Sequence, residues 1–161
     1  MPAIKSKEFI RVLGLPTVEP GTYNYITIGK GLESLPTSMG ADVQKTKDVL
    51  GNVVIAIGGY DKSATISPYV CNSDDDLYIF LQDIIDNERT LDDLNVVVLD
   101  VKLYETDQLG AYPAIREDGV IEITDYNREV SGYQINFNLH FKGNPAKGTF
   151  DPSAKTWVPA V

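Results

Sequence analysis

One cysteine, one histidine and one tryptophan are all that 161 residues hold of those three types. A single cysteine, Cys71, excludes an internal disulfide and suits a reducing compartment. Cys71 and His140 would have to meet to make a nucleophile pair or a zinc site, and no motif spacing points to either. They read as a small apolar residue ahead of a helix and one polar tooth of a strand. No run of Lys or Arg makes a basic stripe, and the formal net charge is −9, so binding that grips nucleic-acid phosphates is disfavoured. Nowhere do about 18 apolar residues run together, and the opening MPAIKSKEFIRVLGLP lacks an apolar block of signal-peptide length. The expectation is a protein made in the cytoplasm, neither exported by a cleavable signal nor embedded in a membrane.

Cofactor and catalytic motifs are equally scarce. IGKGLES lacks the Gly-Lys-Ser/Thr ending of a phosphate loop and the third glycine of a dinucleotide fingerprint, so Gly29 and Gly31 read as backbone freedom where a strand gives way to a loop. The triplet Asp74, Asp75, Asp76 lacks the spaced oxygen ligands of a calcium loop, and helix capping accounts for it. Asp92 and Asp93 read as turn residues. Nothing selects a pair among the 23 acids, so no catalytic, cofactor or metal site is assigned.

What the chain does hold is β pattern. Residues 22–28 (TYNYITI), 53–57 (VVIAI), 63–70 (SATISPYV), 95–105 (NVVVLDVKLYE) and 119–126 (GVIEITDY) read as strands, with the glycines of GGYD and the triplet Glu117, Asp118, Gly119 as turns. One helix is convincing, over residues 73–89: Leu77, Phe80, Leu81, Ile84 and Ile85 form one apolar stripe, Ser73 is placed to cap, and Gln82, Asp83 and Asp86 should meet water. Before the first strand lies an arm over residues 1–21 with Pro16 and Pro20, able to lie as an irregular strand on its own domain or on a neighbour. Residues 149–161 close the chain as a weaker strand or a tail. The whole reads as a single domain, mainly β, a mostly antiparallel sandwich or barrel with one packed α-helix.

Two features stand out. Residues 29–50 form a long stretch with no clean period, and loops of that length tend to be functional or mobile. Residues 131–141, SGYQINFNLHF, alternate strictly: Tyr133, Ile135, Phe137, Leu139 and Phe141 on one side, Gln134, Asn136, Asn138 and His140 on the other. The first side is core. The second carries amides and the sole histidine where an ordinary solvated face would carry Lys or Glu.

The order of segments, IKSKEFIRV, YITIGKGLESLP running into the long loop, YVCNSDDDLYIFLQDIID and then VVVLDVKLYE, resembles the major tail tube proteins of long-tailed bacteriophages infecting Gram-positive hosts. The likeness spans roughly residues 4–148 and rests on patterns of apolar and glycine positions. It implies a β-sandwich-like fold with a flanking helix, closed into rings, typically of six, that stack into a hollow tube around a tape measure protein, with other tail proteins at its ends and DNA moving through the bore. It places the protein in the virion tail. Residues 29–50 are then the loop that reaches an adjacent ring, with Gly29, Gly31, Leu32, Leu35, Met39 and Val43 as its inter-subunit residues. Gln134, Asn136, Asn138 and His140 would face the lumen or another subunit, offering a hydrated, non-cationic wall to a passing polyanion. The same residues admit other readings: a tail-completion protein at the tube end, or a small-ligand or glycan-binding module using GGYD, Tyr104 and Tyr126. An enzyme built from scattered carboxylates ranks last.

Overall fold

In the computed structural model, which describes residues 2–105 and 110–160, the chain order is β1 (Phe9–Pro16), β2 (Tyr23–Ile28), β3 (Thr37–Ser38), β4 (Ala41–Lys47), β5 (Val53–Tyr60), β6 (Ser63–Val70), α1 (Asp76–Asn87), β7 (Asn95–Lys102), β8 (Tyr112–Glu129), β9 (Gly132–Phe141), β10 (Ala146–Asp151) and β11 (Thr156–Pro159). Every paired strand is antiparallel to its neighbour. Nine strands make one sheet in the order β2-β1-β7-β8-β9-β6-β3, with β10 joining β8 and carrying β11, while β4 and β5 pair only with each other. The protein is mainly antiparallel β with a single α-helix among the described residues.

The N-terminal arm is no appendage: β1 is an interior strand between β2 and β7, and Val12, Leu13 and Leu15 are buried. Met1 lies outside the described residues, as does Val161 of the C-terminal tail. That tail is a hairpin, β10 with β11, whose Phe150 is buried under Tyr25 at 5.6 Å between ring centroids. Gly148 makes the hairpin possible, since a Cβ there would stand 2.5 Å from the Trp157 ring.

Strand β7 separates two cores. Val96 and Val98 face Leu13, Phe137 and the helix, while Val97, Leu99 and Val101 face Val12, Ala114 and Phe150. A near-continuous apolar run is what a strand covered on both faces requires.

The helix begins later than its sequence suggests. Asp75, not Ser73, is the N-cap, its carboxylate accepting the Leu77 N–H at 3.2 Å, and Glu88 ends the helix in the left-handed conformation. Asp75 also accepts from the Tyr69 hydroxyl, so one side chain both starts the helix and satisfies a buried phenol. Burial first, and that carboxylate second, push the Tyr69 hydroxyl well above the ordinary tyrosine range. Leu77, Leu81 and Ile84 are buried, and Phe80 and Ile85 half-buried against the same cluster. Gln82 is only partly turned to water: its side-chain oxygen accepts from the Tyr133 hydroxyl at 2.8 Å. Asp75→Ala is expected to cost about 2 kcal/mol, read as a lower urea midpoint. Asp75→Asn, which keeps a capping oxygen, should recover most of that loss.

Strand β8 corrects the reading of Glu117, Asp118 and Gly119 as a turn. All three lie inside an 18-residue strand. Gly119 is there because a Cβ would stand 3.1 Å from the His140 carbonyl oxygen and 3.3 Å from Val98. Asp118 holds the chain leaving β9, with the Lys142 N–H donating to its carbonyl at 2.8 Å and the Asn144 amide to its carboxylate at 2.8 Å. Glu117, 2% exposed, is the sole buried charged side chain among the described residues. It meets Lys62 Nζ at 2.5 Å and accepts the Gly143 N–H at 2.8 Å. Lys62 and Arg11 also lie over the Phe141 ring, 4.9 Å and 5.4 Å from its centroid.

Candidate assembly interface

Residues 29–50 resolve into unlike parts. Gly31 is fixed to the sheet: its carbonyl accepts the Val70 N–H at 3.1 Å, and with φ of +81° and the Val70 oxygen 2.3 Å from where a Cβ would sit, glycine is required. Leu32 and Leu35 lie half-buried on the core. Thr37, in β3, accepts from Arg11 at 2.8 Å, and Arg11 in turn grips Asp100 with two hydrogen bonds of 2.8 and 3.2 Å. From Gly29 to Leu35, therefore, the proposed inter-subunit residues belong to or border their own sheet. Met39 and Val43 are exposed.

Beyond Gly40 the chain leaves the body as the β4–β5 hairpin. The Asp61 N–H donates to the Gly40 carbonyl at 3.1 Å, closing its base. At the tip, Asp48 accepts the backbone N–H groups of Leu50 and Asn52, each at 2.9 Å, and Gly51 has φ of +86°. Hydrogen bonds from Asn52 hold the Asp48 carboxyl below its ordinary range, so the tip turn is charged at neutral pH.

The GGYD glycines do not turn the chain from β5 into β6. Gly58, Gly59 and Tyr60 are the end of β5, which pairs with β4 and not with β6. The VVIAI run, with the composition of a core strand, is exposed throughout: Ile55 is 61% exposed, and Val53, Val54, Ile57 and Tyr60 are similar. At the tip Val49 and Leu50 stand 102% and 83% exposed. An isolated two-stranded ribbon is marginal in water, and an apolar surface this continuous marks a site that another surface covers. Val53, Val54, Ile55 and Ile57 lie outside the stretch of residues 29–50 to which the sequence confined the inter-subunit contact. VVIAI alternates with nothing polar, and that its partner is the polar strand ADVQKTK emerges only from the strand register.

The amide face is built on β9. Ile135, Phe137, Leu139 and Phe141 point inward as expected, and Tyr133 is half-buried. On the other side the amides meet acids of β8: Asn138 donates to Glu122 at 3.0 Å, His140 Nε2 lies 2.8 Å from the same carboxylate, and Asn136 donates to Asp125 at 2.5 Å. Gln134 donates to the Ser131 hydroxyl at 3.1 Å. Irregular register on both flanks, between Ile66 and Tyr69 of β6 and between Ile123 and Asp125 of β8, brackets Asn136 and opens a shallow polar cleft of about 400 Å³. The surface is an uncharged-to-acidic ladder in which each amide is already oriented by a neighbour.

His140, ahead of Asn138, holds the Glu122 carboxyl below the ordinary carboxylate range by hydrogen bonding. A depressed folded-state value means a contribution to stability that is present above the unfolded value and lost as pH falls through the folded one. Because the pair is exposed the contribution is small. In His140→Ala the Glu122 titration should move up toward the ordinary range, as an NMR pH titration of its side-chain carboxyl will show.

Burial pushes the Cys71 thiol up to about 11, which leaves it protonated and unreactive at neutral pH. Among the described residues no group of three or more His, Cys, Asp or Glu side chains stands together as a metal site would require. Among the described residues no helix is long and apolar enough to cross a membrane. An open groove of about 930 Å³ lies beside the hairpin base, lined by Ile4, Phe9, Ile10, Leu32, Leu35 and Met39 among others.

No protein-family model matches the chain. No curated protein matches it either. Among solved structures, one similar chain is described as the sheath/tube terminator of an extracellular contractile injection system, PVC, in its extended state, determined by cryo-EM. The two share 11% identity and a TM-score of 0.49, over 91% of this chain and 97% of that one.

Proposed function

We propose that this protein is a structural component of a phage-type tail that assembles with copies of itself, as a tube subunit whose rings, hexameric by the likeness of its segment order to tail tube proteins, stack into a hollow tube. The observation that carries this reading is the β4–β5 hairpin: a projecting ribbon whose β5 strand is apolar on both faces and which, among the described residues, no other strand or helix covers. A monomeric module has no use for such a surface, and an aqueous one would aggregate unless a specific partner covers it. The amide and acid ladder of β8 and β9 supports the second half of the reading. It gives a wall with hydrogen-bonding capacity and no cations, along which DNA meets no sticking point. On this reading the partners are the chain itself, a tape measure protein and the proteins at the two ends of the tube. The protein supplies shape and no catalysis.

Negative-stain electron microscopy of the purified protein across a concentration series tests the proposal. Hollow tubes or stacked rings are the expected result. Single rings that never elongate would assign the chain to the tube end instead. Compact particles that stay monomeric at every concentration would overturn self-assembly and turn attention to the groove beside the hairpin as a ligand site.

A further inference from the structure

The acid excess of this chain is not spread evenly. Residues 72–93 carry eight acids (Asp74, Asp75, Asp76, Asp83, Asp86, Glu88, Asp92, Asp93) and one base (Arg89), a net charge of −7 out of the chain's −9. Within that segment α1 turns one face outward. Asp76, Ile79, Asp83 and Asp86, spaced i, i+3, i+7 and i+10, fall on a single stripe, and all four are exposed, with Asp83 also paired to Arg89 at 3.2 Å and Asp86 accepting from the Gln82 amide at 2.8 Å. Ile79 is a large apolar side chain on that stripe, set among carboxylates and 55% exposed.

The groove beside the hairpin base has the opposite character. Its walls include Ile4, Phe9, Leu32, Leu35 and Met39, and its charged lining is four cations, Lys5, Lys7, Arg11 and Lys62, against two acids, Glu33 and Asp100. Arg11 is engaged with Asp100 and Lys62 with Glu117, below the floor. Lys5, Lys7 and Glu33, all exposed, are therefore the charges an incoming group meets, two cations against one acid. A cationic, apolar concavity is unusual on a protein of net charge −9, and its complement is an acidic surface with an apolar knob.

We propose that this groove receives the outward face of α1 from a second copy of the chain, with Ile79 against the apolar wall and Asp83 and Asp86 toward Lys5 and Lys7. This rests on the self-assembly reading and adds to it a contact separate from the hairpin. Groove and helix face share no residue, so each copy presents both halves, and the contact is head to tail. Repeated contacts of this kind close into a ring or run on as a filament. Short-range charge pairing at the rim would also set register and speed encounter, and would weaken as salt rises.

The test is charge exchange. Lys5→Glu with Lys7→Glu reverses the groove, and Asp83→Lys with Asp86→Lys reverses the helix face. Each double variant, at low salt, is expected to associate at least about tenfold more weakly than the wild type by sedimentation velocity, with an unchanged circular dichroism spectrum. An equimolar mixture of the two, in which each reversed groove meets a reversed helix, is expected to recover association. Ile79→Asp, which leaves the lysines in place, should weaken it as well. Wild-type association that survives both reversals overturns the docking while leaving self-assembly intact, and so does a mixture that fails to recover. A wild type that stays monomeric at every concentration and ionic strength overturns the self-assembly reading itself, and the docking with it.

Discussion

Replacing residues 41–60 with two glycines should leave a folded protein that no longer stacks. The excision is local because the Asp61 N–H already reaches the Gly40 carbonyl across the hairpin base, at 3.1 Å, so a short turn bridges the gap. No residue from 41 to 60 belongs to either hydrophobic cluster, and the strands removed pair only with each other. The melting temperature should therefore stay within a few degrees of wild type, because stability follows buried apolar area and almost none is lost. Assembly should be abolished, since about eight large apolar side chains that need a cover leave with the hairpin. Circular dichroism melts and electron microscopy on the same sample separate the two effects. A variant that still forms tubes would show that the hairpin is not the stacking element. Removing residues 32–47 instead is a worse experiment. It takes Leu32 and Leu35 from the core and β3 from the sheet, so failure to stack would be confounded with damage to the fold.

Glu117→Ala should be among the most destabilising single substitutions in the protein, at about 3 to 5 kcal/mol. The carboxylate is 3% exposed and Lys62, 21% exposed, is its ion partner at 2.5 Å, so deleting it leaves a half-buried ammonium against Phe141 and an orphaned Gly143 N–H. Equilibrium urea unfolding will measure it. A double replacement, Glu117→Leu with Lys62→Met, should lose distinctly less than the single one, because it removes the stranded charge together with its partner. A double variant as unstable as Glu117→Ala would mean that packing around residue 117, and not the ion pair, holds this end of β8.

Much of the fold was legible because it follows period. The strict alternation of residues 131–141 became β9, the helical stripe became α1, and the mainly antiparallel β architecture followed from strands separated by short turns. Three errors concern turn or cap signals, and in two of them local chemistry was outweighed by tertiary contact. Glu117, Asp118 and Gly119 look like a turn, yet the glycine answers a close approach by β9 and the two acids fasten chain segments beyond it. Gly58 and Gly59 likewise look like a turn and lie in a strand. Ser73 looks like a cap, but Asp75 takes the position because it can also reach Tyr69. The exposed hairpin was illegible for a different reason. An apolar run does not say which molecule will bury it, and VVIAI reads the same whether its cover comes from the same chain or from the next. The amide face was visible as a pattern, while the β8 acids that orient it were visible only once strand register was known.

The position of β1 carries a consequence for how quickly this chain becomes itself. Its first partner, β2, follows it directly, but its second, β7, begins at Asn95, and the Arg11–Asp100 pair that locks the two spans 89 positions. During synthesis the first hairpin must wait for more than half of the chain to emerge before the central sheet can close. Loop closure over such separations places folding in the slow, millisecond-to-second range typical of sheets built from distant segments. Throughout that interval VVIAI is already made and already bare. Closing the sheet does not cover it, so a cell that produces this protein fast must keep copies apart both before and after folding, and expression at low temperature should raise soluble yield.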